Sequence, residues 1–194
     1  MFLKEKEDRR NPSLLDSNRS ILLIVDAQEK FLPVTPGMAE AAKRMVILVK
    51  TAARLGIPVV VSEQYPKGLG STSKEISSSL PAGSAVFSKL SFSACDIPEW
   101  VEAVRSAKRN QFVICGVETH ICVLQTTLDL IQNFDGQIYV VEDAVASRHT
   151  LDRDSALRRI ESHGAYRITS EMVAFEWLRK AGTPEFKEIQ GWMK

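Results

Sequence analysis

Four short apolar runs punctuate the chain: Ile21 to Val25, Pro58 to Val61, Phe112 to Cys115 and Ile138 to Val141. They are rich in β-branched residues and continuous rather than alternating. That pattern suits strands buried on both faces of a parallel sheet. Val86-Phe87 and Tyr166-Arg167-Ile168 are weaker strand candidates, suited to the sheet's edges. Between the runs the spacing turns helical. Met38, Ala41, Ala42, Met45, Val46, Val49, Ala52 and Ala53 share one helical face, and Gly56-Ile57-Pro58 ends that segment. Trp100, Val101, Val104 and Ala107 mark a second helix. Cys122, Val123, Thr126, Leu130 and Ile131 mark a third, closed by Asn133-Phe134-Asp135-Gly136. Ala156, Leu157 and Ile160, and the stretch Met172 to Leu178, mark two more. Alternating strands and helices predict βαβ units with right-handed crossovers, hence an α/β domain of three layers. Tyr65 to Gly83, rich in Gly, Ser and Pro, reads as a long loop over the sheet. Residues 1–18 read as a flexible arm and 19–194 as one domain.

Composition narrows the function classes. The chain has 194 residues, enough to bury a full core without a metal or a disulfide. Its 25 Lys+Arg nearly cancel 24 Asp+Glu, so no basic excess points to nucleic acid. Three cysteines (95, 115 and 122) are too few and too odd in number for a disulfide framework. The charged segment Lys4 to Arg10 is no secretory signal, and no apolar run approaches the roughly 18 residues of a membrane span. The expectation is a cytoplasmic protein with reduced thiols, a small-molecule substrate, and no nucleic-acid or membrane partner.

In open α/β sheets, ligands bind beyond the carboxyl ends of the strands. That rule selects Asp26-Ala27-Gln28, Ser62-Glu63-Gln64-Tyr65, Ser88-Lys89 and Gly116-Val117-Glu118-Thr119-His120-Ile121-Cys122. An acid, a cation and a thiol thus fall at one edge from separate strands. Gly116 permits a tight exit from its strand. Thr119 suits the N-cap of the next helix, which puts Cys122 in that helix's first turn. Unsatisfied N–H groups and the helix dipole there can draw a thiol pKa from about 8.5 toward roughly 3.5–7.5. The alternative for Cys122 is a buried structural cysteine, the role expected of Cys95 and Cys115. Asp26 serves either as an Asx turn or as an acid in a site, and Lys89 either as a solvated lysine or as a partner favouring thiolate.

Together these residues resemble the isochorismatase-like cysteine hydrolase family. The resemblance runs from about Ser20 to Leu178. It is carried by Leu22-Leu23-Ile24-Val25-Asp26-Ala27-Gln28, Phe87-Ser88-Lys89-Leu90-Ser91-Phe92-Ser93-Ala94 and Gly116-Val117-Glu118-Thr119-His120-Ile121-Cys122-Val123. Glu63-Gln64-Tyr65-Pro66-Lys67-Gly68-Leu69-Gly70 further resembles an isochorismatase-domain subgroup of unassigned substrate. The resemblance implies a Rossmann-like, six-stranded parallel sheet and a triad: Asp26 as general base, Lys89 holding thiolate and acid, Cys122 as nucleophile. It implies a cis peptide joining Val117 and Glu118, with the N–H groups of Glu118 and Cys122 forming an oxyanion hole. The implied reaction is attack on an amide or imide carbonyl, a thioester, then hydrolysis. Homo-oligomers are common in the family.

The loop Ser62 to Pro66 lacks the zinc-binding histidine of the nicotinamidase branch. The expectation is no metal and no cofactor. His120 is placed near the pocket, and His149 and His163 at surface or cap positions. Pocket candidates are Gln28, Phe31, Gln64, Tyr65 and Glu118, with Phe31 and Tyr65 equally suited to packing. Two other readings stand beside the cysteine amidase. One is an ether or ester hydrolase of the isochorismatase type in which Cys122 is incidental. The other is a non-enzymatic binding or scaffold protein using an apolar C-terminal surface with Trp177, Leu178, Trp192 and Met193.

Overall fold

The computed structural model describes residues 11–193. Six parallel strands form one sheet: β1 (Ser20–Val25), β2 (Val59–Gln64), β3 (Ala85–Lys89), β4 (Gln111–Val117), β5 (Gln137–Ala146) and β6 (Tyr166–Ile168), ordered β3-β2-β1-β4-β5-β6. The two strands that looked weakest in sequence, β3 and β6, are the edges.

The continuous apolar runs are explained by the two layers they serve. In β1, Ile21, Leu23 and Val25 face one core while Leu22 and Ile24 face the other. Phe112 and Ile114 of β4 likewise oppose Val113, Cys115 and Val117. The first core is closed by α1 (Met38–Leu55) and α7 (Ser170–Leu178), the second by α4 (Pro98–Ser106), α5 (Leu124–Asn133) and α6 (Thr150–Ser162). This is the three-layer α/β architecture expected, and each strand alternates between cores because its side chains alternate across the sheet.

Four features depart from the sequence reading. The 65–83 region is a loop that contains two single turns, α2 (Pro66–Leu69) and α3 (Lys74–Ser77), and pins itself to the strand ends through a Gln28–Thr72 bridge. A last helix, α8 (Pro184–Trp192), packs on α1, where Arg54 pairs with Glu185 and Glu188 at 2.7 and 2.8 Å. Trp177 is no surface residue: it is core, and its indole N–H donates to Ser20 Oγ at 2.8 Å. The expected apolar C-terminal surface therefore loses one of its two tryptophans, and among the described residues the most exposed large apolar side chains are instead Leu90 and Leu151. Finally, within the stretch read as an arm, residues 11–18 lie against the domain. Leu15 is buried, Tyr139 donates its hydroxyl to Ser13 O at 2.8 Å, and Asp16 N donates to Gln111 Oε1 at 2.7 Å. Residues 1–10, the remainder of that stretch, lie outside the described residues.

Candidate active site

The chain leaves β1 toward β2 and β3 on one side and later fills β4, β5 and β6 on the other. The crevice at the carboxyl ends of β1 and β4 is thus the topological switch point, where α/β sheets hold ligands. Asp26 follows β1, Lys89 ends β3 and Cys122 follows β4. The three meet there.

Asp26 is held tightly. Its backbone takes the left-handed region (φ 53°), which aspartate tolerates better than most residues, and its N–H donates to Ser62 O at 3.0 Å. Ser62 returns a hydroxyl bond to Asp26 Oδ1 at 2.7 Å. Lys89 Nζ stands 2.7 Å from Asp26 Oδ2, with both side chains fully buried. The ammonium also donates to Gln64 Oε1 (2.7 Å), Phe92 O (2.9 Å) and Ser91 O (3.1 Å). A charge pair out of water survives only with such full hydrogen bonding. Neither residue is a solvated surface group.

Cys122 lies on a π-helical turn, Thr119–Val123, that leads into α5. The turn starts from Glu118, whose carbonyl accepts Val123 N–H at 3.2 Å. The peptide between Val117 and Glu118 is cis. Gly116, at φ 134°, lies so close to β1 that a Cβ there would stand 1.9 Å from Val25 O. No side chain fits, so the strand carrying the thiol presses directly on the strand carrying the acid.

Two sequence expectations about this turn are corrected. Thr119 is not a cap: it is the first residue of the turn, and its hydroxyl donates to Ala146 O at 3.0 Å. Nor is Cys122 a standing thiolate. Burial and the adjacent Asp26 carboxylate push its thiol up to about 12, and Lys89 counters this only in part. The helix-start effect is outweighed because the site is dry and the lysine's charge is already matched by aspartate. Asp26 and Lys89 are the two charged side chains that act on the thiol, in opposite directions. Burial likewise raises Cys95 to about 12 and Cys115 further still, in keeping with structural thiols.

Above the thiol opens a cavity of about 310 Å³ lined by Lys30, Phe31, Val34, Gln64, Leu69, Phe92, Glu118, Ile121, Cys122 and Arg148. Of the pocket candidates, Phe31, Gln64 and Glu118 line it. Gln28 does not. It is fully buried and clamps Gln64, accepting its N–H at 2.8 Å and donating to its carbonyl at 3.0 Å. Tyr65 does not line it either, being half exposed beside the loop. His120 bonds Ser147 Oγ at 3.0 Å, away from the lining, and His149 and His163 flank α6 at its two ends. Among the described residues no group of three His, Cys, Asp or Glu stands close enough to hold a metal ion.

Sequence reasoning missed Ser62 as a partner of Asp26, and missed Arg148 altogether. Arg148 donates its backbone N–H and its Nε to Glu118 Oε1, at 2.9 and 3.0 Å. The signal existed: Arg148 stands just past the carboxyl end of β5. Glu142 and Asp143 interrupt the apolar run, so the strand seemed to end at Val141 rather than at Ala146.

Comparisons with known proteins identify the family. Residues 20–172 match the Isochorismatase domain. A relative from Phytophthora sojae, described as a secreted isochorismatase effector, is 40% identical over 90% of this chain and 84% of its own length. Mouse isochorismatase domain-containing protein 2A is 39% identical over 88% of this chain and 81% of its own. A Caenorhabditis elegans structure described as MAR1 ribonuclease superposes with TM-score 0.88 at 35% identity, covering 93% of this chain and 92% of that one. YcaC from Pseudomonas aeruginosa, described with hexane-2,5-diol and covalent acrylamide, gives 0.86 at 25% identity, over 94% and 93%. Among the described residues no helix is long and apolar enough to cross a membrane, and the secreted relative means that kinship fixes no location. With a domain match and relatives that span nearly all of its length, the chain belongs to the isochorismatase family and has that family's hydrolase fold.

Proposed function

We propose that the protein is a metal-independent cysteine hydrolase that cleaves a small amide- or imide-like C–N bond through a thioester on Cys122. One observation carries the reading: a fully buried Asp26–Lys89 pair 2.7 Å apart, whose charges bear on a thiol that opens on a substrate-sized cavity. A buried pair with no task would cost stability without return.

The raised thiol pKa gives the acid its role. Cys122 rests protonated, so attack needs a base at hand. As Sγ bonds to the carbonyl carbon, its proton moves to Asp26. The tetrahedral oxyanion is received by the N–H groups of Glu118 and Cys122. The C–N bond then breaks, and the amine leaves with the proton from Asp26. Water attacks the thioester, giving its proton to Asp26, which returns it to the departing sulfur. Lys89 keeps the carboxylate in place and balances its charge through both halves.

The P. aeruginosa relative, described with covalent acrylamide, adds support, since acrylamide is both a small amide and a target for thiols. The test is turnover of a panel of small amides by wild type and Cys122→Ala, with hydroxylamine present to trap the acyl group. The expected result is a hydroxamate from wild type and none from the variant. Undiminished turnover by Cys122→Ala would overturn the reading in favour of ether or ester cleavage with an idle thiol. The proposal extends to a homo-oligomer, supported by Leu90 at 77% and Phe92 at 52% exposure beside the unpartnered edge β3. A monomer by light scattering would refute it.

A further inference from the structure

Resting on the reading of Cys122 as nucleophile, we propose that the substrate also bears an anionic group, a carboxylate, seized at the pocket mouth by Arg148 and assisted by Lys30.

The charges around the cavity are unequal. Asp26 and Lys89 neutralise each other beneath it, and Cys122 rests as a neutral thiol. Of the remaining ionisable lining groups, Lys30 and Arg148 are cations and Glu118 alone is an anion. One positive charge is left in excess at the mouth of a pocket whose other walls are largely apolar. A small neutral amide has no use for it.

Arg148 is built for recognition. Its side chain is 53% exposed, whereas that of Glu118 is 5% exposed. The buried carboxylate takes the Arg148 backbone N–H and Nε, which fixes the fork's direction. The two Nη groups have no partner among the described residues, and paired N–H donors of this kind match a carboxylate's two oxygens. Lys30 donates to Gly68 O at 2.6 Å, a bond that uses one of its three hydrogens. Glu118 leads into the turn that carries Cys122, so the carboxylate that aims the fork and the nucleophile share one short piece of backbone. A substrate gripped by its carboxylate would have its amide carbonyl delivered over the thiol at a fixed offset.

Two alkylating agents that differ in charge test this without knowledge of the natural substrate. Cys122 in the intact protein is treated with iodoacetate or iodoacetamide, and its labelling is followed by peptide mass analysis. Each rate is divided by that of a free small thiol. The expected iodoacetate preference is about tenfold, the fold-change of one charge-assisted hydrogen bond. It should saturate with concentration, fall to near unity in Arg148→Gln, recover in part in Arg148→Lys, and fall less in Lys30→Gln. An equal preference in wild type and Arg148→Gln would overturn the proposal while leaving Cys122 a nucleophile. Failure of both reagents to label Cys122 would overturn both readings. Should Arg148→Gln not fold, wild type alone decides. Succinamate should protect Cys122 from iodoacetamide at about a tenth of the concentration that neutral succinamide needs, and equal protection would refute the proposal.

Discussion

Two acid–base pairs lie at the carboxyl edge of this sheet, and they use the same chemistry in opposite ways. Asp26–Lys89 is sealed: both side chains are inaccessible, and every other contact of the ammonium is a protein oxygen. Glu118–Arg148 is half sealed, with a buried carboxylate holding an exposed guanidinium. The first pair has nothing left to offer a ligand but a proton. The second keeps an open fork. Burial of both partners makes a charge pair a fixed reagent, while burial of one makes it a fixed mount for a cation that stays free.

The contrast can be broken from the inside first. Cys122→Ala should lower amide turnover by about 10³-fold or more, since no other group on the cavity wall is a nucleophile of comparable strength. Lys89→Met should remove activity and also cost about 3–5 kcal/mol of stability in denaturant titration, because it leaves Asp26 charged in a dry site. Asp26→Asn should lower turnover by about 10²–10⁴-fold. Its stability loss should be smaller than that of Lys89→Met, since the lysine keeps three carbonyl oxygens. If the two variants melt alike, the sealed pair is not as asymmetric as its contacts imply. Ser62→Ala removes one bond to a charged oxygen and should cost about 1.5–3 kcal/mol. At the rim, Arg148→Gln should change stability by about 1 kcal/mol or less, the ordinary range of an exposed ion pair.

A weaker effect separates thiols from carboxylates. Burial raises Cys122 and Cys95 to about 12 and lifts Cys115 and Tyr139 as well. Groups whose folded pKa lies above the unfolded value stabilise the fold below the unfolded value and lose that contribution as pH rises. For the thiols the loss begins near about 8.5 and continues toward 12. Melting temperature should therefore fall between pH 8 and pH 11, and differential scanning calorimetry with Cys115→Ala should show part of that fall removed.

The fold was legible because apolar runs and helical spacing report burial directly. Ile21 to Val25 could only be a central strand, and Val86-Phe87, half exposed in the structure, could only be an edge. The proposed triad was legible because Asp26, Lys89 and Cys122 each follow or end such a run. What sequence could not show was environment. Gln28 looked like a ligand for substrate, yet its amide is spent on Gln64, a pairing between residues 36 apart that only folding creates. The thiol's protonation was misjudged for the same reason: a helix start is visible in sequence, but the dryness around it and the prior commitment of Lys89 are not. Arg148 escaped notice because charged residues inside β5 hid the true end of a strand.

Gly116 sets a boundary for anyone who would redesign this protein. Backbone contact with Val25 makes position 116 intolerant of any side chain, since even an alanine methyl would meet a carbonyl oxygen at 1.9 Å. A mutational library should leave it invariant and spend its diversity on Phe31, Phe92 and Ile121, whose side chains line the cavity without holding the two strands together. Selectivity can then drift while the separation of acid and thiol stays locked, so the scaffold is a sound starting point for directed evolution.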